Sequence, residues 1–258
     1  MLSGFITAFR TLTIVPVPGK DSERLSSSLP WFPIVGLLLG GVLYGIALVP
    51  NLLHVAVWTE GIAAAIVVCS VILTRAMHLD GLADCADGFG CRGDRAKVLA
   101  VMKDPHTGAF GTIAIVVALL VRFVAVTKLV ASGLPVVILA AAVVSRTMQV
   151  ELATVLPYAR REGGTAAPFV NGSGWLHRLA ALGIGLLILV GLCGPVAGGA
   201  VFTVGWSVCR LFGLWCRKKI NGVTGDCLGA CSEMVEMVVL FAGAAGADYV
   251  QMWFGWCG

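Results

Sequence analysis

Three aspartates stand at i, i+4 and i+7 in the stretch His78-Leu79-Asp80-Gly81-Leu82-Ala83-Asp84-Cys85-Ala86-Asp87-Gly88. On a helix that spacing puts Asp80, Asp84 and Asp87 on one face. Carboxylates held so closely repel one another, and a divalent cation relieves the repulsion. Mg²⁺ suits the arrangement, because it takes one or two carboxylates and completes its shell with water and phosphate oxygens. The glycines between the acids let a backbone or a substrate come close. The plainer alternative is a polar helix end with ordinary loop acids, but three acids among small uncharged residues are a costly choice at a membrane surface.

A set of phosphate-binding side chains follows. Arg92, Arg95, Lys97 and Lys103 all come within 16 residues of Asp87. The last opens the run Lys103-Asp104-Pro105-His106-Thr107-Gly108-Ala109-Phe110-Gly111. Basic groups beside a carboxylate-bound metal are what a nucleoside diphosphate requires. Arg92 and Lys97 are equally well explained as ordinary loop cations, and Lys103 beside the glycines is the stronger candidate. Two more pieces carry suitable chemistry: Tyr158-Ala159-Arg160-Arg161-Glu162-Gly163-Gly164, and Asn221-Gly222-Val223-Thr224-Gly225-Asp226. A Thr-Gly-Asp turn ahead of a helix suits phosphate or metal binding.

The elements that must position these residues are read from composition. The chain has 258 residues, 58% hydrophobic and only 12% charged, with a mean hydropathy of +0.93. Soluble domains carry about 25% charged residues. That contrast excludes a disordered chain, a nucleic-acid module and a disulfide scaffold, and predicts an all-α polytopic membrane bundle forming a single domain over 1–258. A spanning helix needs ~20 apolar residues. Seven predicted spans fall near 31–53, 60–77, 108–130, 134–155, 176–193, 196–215 and 234–254. The segment 1–30 is read as cytoplasmic and interfacial, with a helix ending at Pro16-Val17-Pro18, and 78–107 as a cytoplasmic loop. Gly36-x3-Gly40 and Gly41-x3-Gly45 in the first span are read as helix-packing motifs. Arg146 and Glu151, five apart in the fourth span, form a candidate intramembrane pair.

Of the 18 Lys and Arg residues, most fall in the N-terminal segment, the 78–107 segment and the segments after the fourth and sixth predicted spans. The short loops opposite hold none. Loops rich in Lys and Arg face the cytoplasm, so every chemical motif shares the cytoplasmic side. The net charge of +4 therefore needs no nucleic acid to explain it. The nine cysteines make no Cys-x2-Cys pair and read as small apolar filler.

Taken together, the motifs resemble the cobalamin synthase family of membrane enzymes. The resemblance rests on Pro16-Val17-Pro18, Trp31-Phe32-Pro33-Ile34-Val35-Gly36, His78-Leu79-Asp80-Gly81-Leu82-Ala83-Asp84-x2-Asp87-Gly88, Met102-Lys103-Asp104-x3-Gly108-x2-Gly111, Pro157-Tyr158-Ala159-Arg160 and Thr224-Gly225-Asp226, in that order. It implies a Mg²⁺-dependent transfer in which α-ribazole, or its 5′-phosphate, attacks adenosylcobinamide-GDP and GMP leaves, in a bacterial inner membrane. On that basis Asp80, Asp84, Asp87 and Asp104 are candidate metal ligands, and Asp84 and Asp87 candidate catalytic groups. Lys103, Arg95, Arg160, Asp226 and Thr224 are candidate phosphate-binding residues. The lipid bilayer and the corrinoid substrate are the implied partners, with neighbouring assembly enzymes or a second copy left open. Two other readings predict different features. A CDP-alcohol phosphotransferase would show an Asp-x2-Asp-Gly-x2-Ala-Arg run, whereas here Asp84-x2-Asp87-Gly88 is followed by Phe89-Gly90-Cys91-Arg92, not Ala-Arg. A divalent-cation transporter would carry its carboxylates near mid-membrane on facing helices.

Overall fold

The computed structural model describes residues 2–53 and 56–250. In chain order the helices are α1 (Leu2–Leu12), a 3₁₀ turn (Leu25–Trp31), α2 (Phe32–Leu53), α3 (Thr59–Leu73), α4 (Met77–Gly90), α5 (Arg95–Val101), α6 (Ala109–Ala131), α7 (Val136–Val155), α8 (Ala167–Asn171), α9 (Trp175–Ile220), α10 (Gly225–Ala245) and α11 (Ala247–Val250). No strand occurs among the described residues, only one isolated parallel bridge between Tyr158 and Val223. The fold is an all-α polytopic bundle.

Helix α7 is its axis. The sequence VVILAAAVVSRTMQVELATV is apolar on every side with alanines throughout, as a helix surrounded by others must be. Every residue from Val137 to Ala153 is buried. Helices α2, α9 and α10 pack around it. Gly36 and Gly40 let α2 approach it closely: a Cβ at Gly36 would lie 2.6 Å from the Ala142 carbonyl, and one at Gly40 2.9 Å from Leu139 Cα. The companion motif is not a contact, since nothing lies within 4 Å of a Cβ at Gly41 or Gly45.

Five helices are long and apolar enough to cross a membrane, and the bent α3–α4 pair makes a sixth segment. Helix α9 supplies one more. Its 46 residues would run ~69 Å at 1.5 Å per residue, over twice a ~30 Å hydrocarbon core. The helix breaks at Gly194 (φ 79°) ahead of Pro195. A Cβ at Gly198 would lie 2.5 Å from the Leu189 carbonyl, so the two halves double back against each other. The last span is misplaced in the sequence reading: α10 runs 225–245 rather than 234–254, because Thr224 caps it nine residues earlier than hydropathy suggests. Residues 251–254 of that predicted span lie outside the described residues.

The predicted 78–107 loop is instead largely helical. The chain bends by 84° between α3 and α4, and Arg75 and Ala76 both adopt φ 55° there. Helix α4 therefore turns away from α3 to lie against α6 and α10.

The predicted Arg146–Glu151 pair does not form. Instead Arg122 of α6 donates to Glu233 at 2.9 Å, to Glu236 at 2.5 Å and to Ser70 at 2.8 Å. Arg146 of α7 donates to Glu236 from its other side and to Ser145 at 2.7 Å. This buried network of two arginines and two glutamates ties α3, α6, α7 and α10 together. Glu151 takes Arg178 instead, through bonds of 2.6 and 2.8 Å. A five-residue spacing turns Arg146 and Glu151 to different flanks of α7, which is why each finds another partner.

Candidate active site

The site forms where α4 meets the start of α10. Gly81 is the point of contact: a Cβ there would lie 2.7 Å from the Asp226 carbonyl and 3.0 Å from its Cα. Gly229, one turn further along α10, would bring a Cβ to 3.2 Å from His78 Cα. The two backbones thus touch between Asp80 and Asp84, setting Asp226 beside both.

Asp226 is held in turn. The backbone of 157–159 is zipped to that of 221–223, Ala159 N–H donating to Val223 at 2.8 Å and Val223 N–H to Pro157 at 2.9 Å. This brings Arg160 alongside, and it donates to Asp226 Oδ2 at 2.8 Å and to the Met102 carbonyl at 3.3 Å. Thr224 Oγ donates to the same carboxylate oxygen at 3.1 Å.

Two recesses flank the Arg160–Asp226 pair. One is a cavity of about 530 Å³ that Asp80 and Asp226 line together with Arg10, Phe32, His78 and Phe169. The other, about 650 Å³ and more open, is lined by Arg160, Arg161, Lys103 and Leu99. Asp80 is exposed, and Asp84 and Asp226 are half-buried. Burial, then the negative charges of Asp226 and Asp80, push the Asp84 carboxyl up to about 7, with Arg160 opposing in part.

Several predicted residues have other duties. Asp87 accepts from Gly108 N–H at 2.7 Å and from Gly111 N–H at 2.9 Å, so its carboxylate caps α6. A Cβ at either glycine would fall within 2.5 Å of that carboxylate, which explains both glycines of the Lys-Asp-x3-Gly-x2-Gly run. Both oxygens of Asp87 thus accept from the start of α6, which gives this carboxylate a structural duty that Asp80 and Asp84 do not share. Asp104 closes an exposed turn with the His106 backbone at 2.9 Å and ring at 2.7 Å, and none of its contacts joins it to α4. Arg95 donates to the carbonyls of Ile220, at 2.6 Å, and Ala159. It clamps the junction that carries Arg160 and Asp226, and it also lines the second recess beside Lys103 and Arg160. Thr224 is fully buried and accepts from Cys227 N–H at 3.3 Å as the N-cap of α10. Asp80, Asp84, Asp226, Arg160, Lys103 and Arg95 line the site or its two recesses.

The reading from sequence missed the wall that α1 supplies. Arg10 donates to the Val17 carbonyl at 2.8 Å and Gly19 carbonyl at 3.0 Å, and pairs with Asp21 at 2.9 Å. The Pro-Val-Pro segment thus wraps Arg10 at the cavity mouth. A lone arginine within an apolar helix was the available signal.

Among the described residues no three Asp, Glu, His or Cys side chains already converge on one point. The donor chemistry nonetheless fits a hard dication. Asp80, Asp84 and Asp226 offer only oxygen, and once all three are ionised one guanidinium leaves two negative charges unbalanced. Mg²⁺ draws its remaining ligands from water and phosphate.

Comparison with known proteins places the chain as a whole. The profile of the cobalamin-5-phosphate synthase family matches residues 4–244. The chain belongs to that family. Among curated relatives, a protein of Chlorobaculum parvum is 46% identical over 246 residues, covering 95% of this chain and 96% of the relative. One from Chlorobium phaeovibrioides is 45% identical, covering 95% and 98%. A more distant one from Syntrophobacter fumaroxidans is 39% identical, covering 95% and 99%. All three are named adenosylcobinamide-GDP ribazoletransferase. No solved structure matches the chain. Membership of the cobalamin-5-phosphate synthase family sets aside the phosphotransferase and transporter readings.

Proposed function

We propose that this protein is an adenosylcobinamide-GDP ribazoletransferase working at the cytoplasmic face of a bacterial inner membrane. It joins adenosylcobinamide-GDP to α-ribazole, or to its 5′-phosphate, and releases GMP. The observation that carries the reading is the juxtaposition of Asp80, Asp84 and Asp226 across the Gly81 contact, with Arg160 bonded to the last. Sidedness rests on Lys and Arg density: the N-terminal segment, α5, the segment after α7 and the end of α9 hold the cations.

Such a transfer forms a bond from a ribazole hydroxyl oxygen to the cobinamide-linked phosphorus and breaks the bond from that phosphorus to the GMP oxygen. It requires in-line placement and neutralised charge more than covalent help. Asp80 and Asp84 would hold Mg²⁺, which when bound neutralises the diphosphate oxygens and the charge developing on the leaving GMP. Lys103 and Arg160, facing one recess, bind the diphosphate. The 530 Å³ cavity on the other side of Asp226 receives the nucleoside against Phe32 and Phe169. Asp226 Oδ2 is held by Arg160 and Thr224, and its Oδ1 takes the proton of the attacking hydroxyl. The N-terminal wall, with Arg10 at its rim, keeps water from competing for the phosphorus.

The reading is tested with purified protein, adenosylcobinamide-GDP, α-ribazole and Mg²⁺. GMP and the joined corrinoid should appear in equal amounts. GMP without a corrinoid product, or neither, would contradict the assignment.

A further inference from the structure

Outside the site, one cluster of charge lies on the lipid-facing surface. Glu151 on α7 is buried to 1% exposure and receives Arg178 through two bonds. That pairing satisfies the glutamate. Arg210 still stands 3.6 Å from Glu151 Oε1, an oxygen that already accepts from Arg178, and is 41% exposed with its guanidinium over the Trp206 ring at 5.8 Å. Arg217 follows seven residues later, on the same face of α9, exposed and without a side-chain partner among the described residues. Three arginines against one carboxylate leave an excess of two positive charges.

Arg210, Arg217 and Glu151 line one groove between α7 and the second half of α9. Its flanks are lipid-like in character, with Leu211 69% and Leu214 60% exposed. Arginine on a lipid-facing helix is costly unless its head snorkels to the interface and finds an anion. Seven residues separate the two guanidinium-bearing positions by ~10 Å along the helix, about the depth over which a headgroup meets its acyl chains. Arginine matches phosphate oxygens with paired N–H donors.

We propose that this groove binds the phosphate of an anionic phospholipid, with Arg210 and Arg217 as its ligands and acyl chains lying over Leu211 and Leu214. Arg178 is fixed by Glu151 and contributes charge. The site is distinct from the proposed transfer centre, and its test does not depend on catalysis.

The full chain is purified in mild detergent and mixed with phosphatidylglycerol or phosphatidylcholine, and retained lipid is counted by native mass spectrometry. The wild type should retain phosphatidylglycerol in preference. Arg210→Gln and Arg217→Gln should each lower its retention about fivefold, near the effect of one basic residue at an anionic surface. Arg210→Lys should keep much of it, and with Arg217→Gln it carries the test if Arg210→Gln elutes as an aggregate. Millimolar inorganic phosphate distinguishes the source of the anion. If phosphate displaces phosphatidylglycerol, the groove takes soluble phosphate and the lipid assignment falls. Equal retention of both lipids, or unchanged retention in both Gln variants, would also overturn it.

Discussion

Asp84 and Asp87 sit one turn apart on α4 and do opposite work. Asp87 turns both oxygens to the amides of Gly108 and Gly111, so its charge is already met by backbone donors. Asp84 faces Asp226 and Asp80, and burial with those charges raises its carboxyl to about 7. In the metal-free protein a proton therefore competes with Mg²⁺ at Asp84. Below pH 7 the apparent Mg²⁺ affinity should fall, by up to tenfold per pH unit for the single proton displaced, and it should level off above pH 7. Stability of the metal-free fold should move the other way. A carboxyl whose folded pKa exceeds its unfolded value binds more protons when folded, so stability declines as pH rises from about 4 to 7. Mg²⁺ titrations by calorimetry at pH 6, 7 and 8 check the first, and thermal melting of the metal-free protein between pH 5 and 7 checks the second. An affinity independent of pH would remove Asp84 from the metal. The spacing of the acids made the cluster legible in sequence, but not the division of labour within it. Asp87 differs from Asp84 only through glycines 21 and 24 residues away, and backbone amides leave no mark in the side-chain alphabet.

At the scale of elements, the site depends on how closely two backbones meet. Gly81→Ala would place a methyl 2.7 Å from the Asp226 carbonyl, so the start of α10 must shift. A displacement of about 1 Å at reacting groups costs on the order of 10²-fold in rate, and turnover should fall accordingly while the protein still inserts. Gly41→Ala, with nothing within 4 Å of its Cβ, should leave turnover unchanged. The comparison is a single GMP-release assay, and equal loss in both variants would contradict the role given to Gly81. Hydropathy located most spans because uncharged runs mark the hydrocarbon directly. It misplaced α10 by nine residues, since Thr224-Gly225-Asp226-Cys227 is polar enough to read as a loop. The Thr224 cap, with its oxygen on Cys227 N–H, is what starts the helix there. Helix α4 was hidden for the same reason: its 14 residues, three of them aspartates, make no membrane-length apolar run.

For the molecule as a whole, the buried network of Arg122, Arg146, Glu233 and Glu236 holds together the helices on which the site rests. Glu236 bonds both arginines, and Glu236→Gln would leave two buried guanidinium groups short of charge. Breaking a buried ion pair from one side costs about 3–5 kcal/mol. The variant should unfold in detergent at markedly lower temperature, measured by loss of monodisperse protein on heating, and a melting point equal to wild type would show that the network is dispensable. This network was only partly legible: Arg146 stood out as an intramembrane charge, but its partner Glu236 lies 90 residues away and gave no signal of its own. The central claim is that the acidic face of α4 holds Mg²⁺ against the diphosphate, and one experiment addresses it directly. GMP release by Asp80→Asn and Asp84→Asn is followed across a Mg²⁺ titration, with membrane insertion verified for each. Loss of one such electrostatic contact costs ~10²–10³ in rate, and both variants should show that loss at limiting Mg²⁺. Near-normal turnover in both would contradict it, and return these carboxylates to the role of ordinary acids at a helix end.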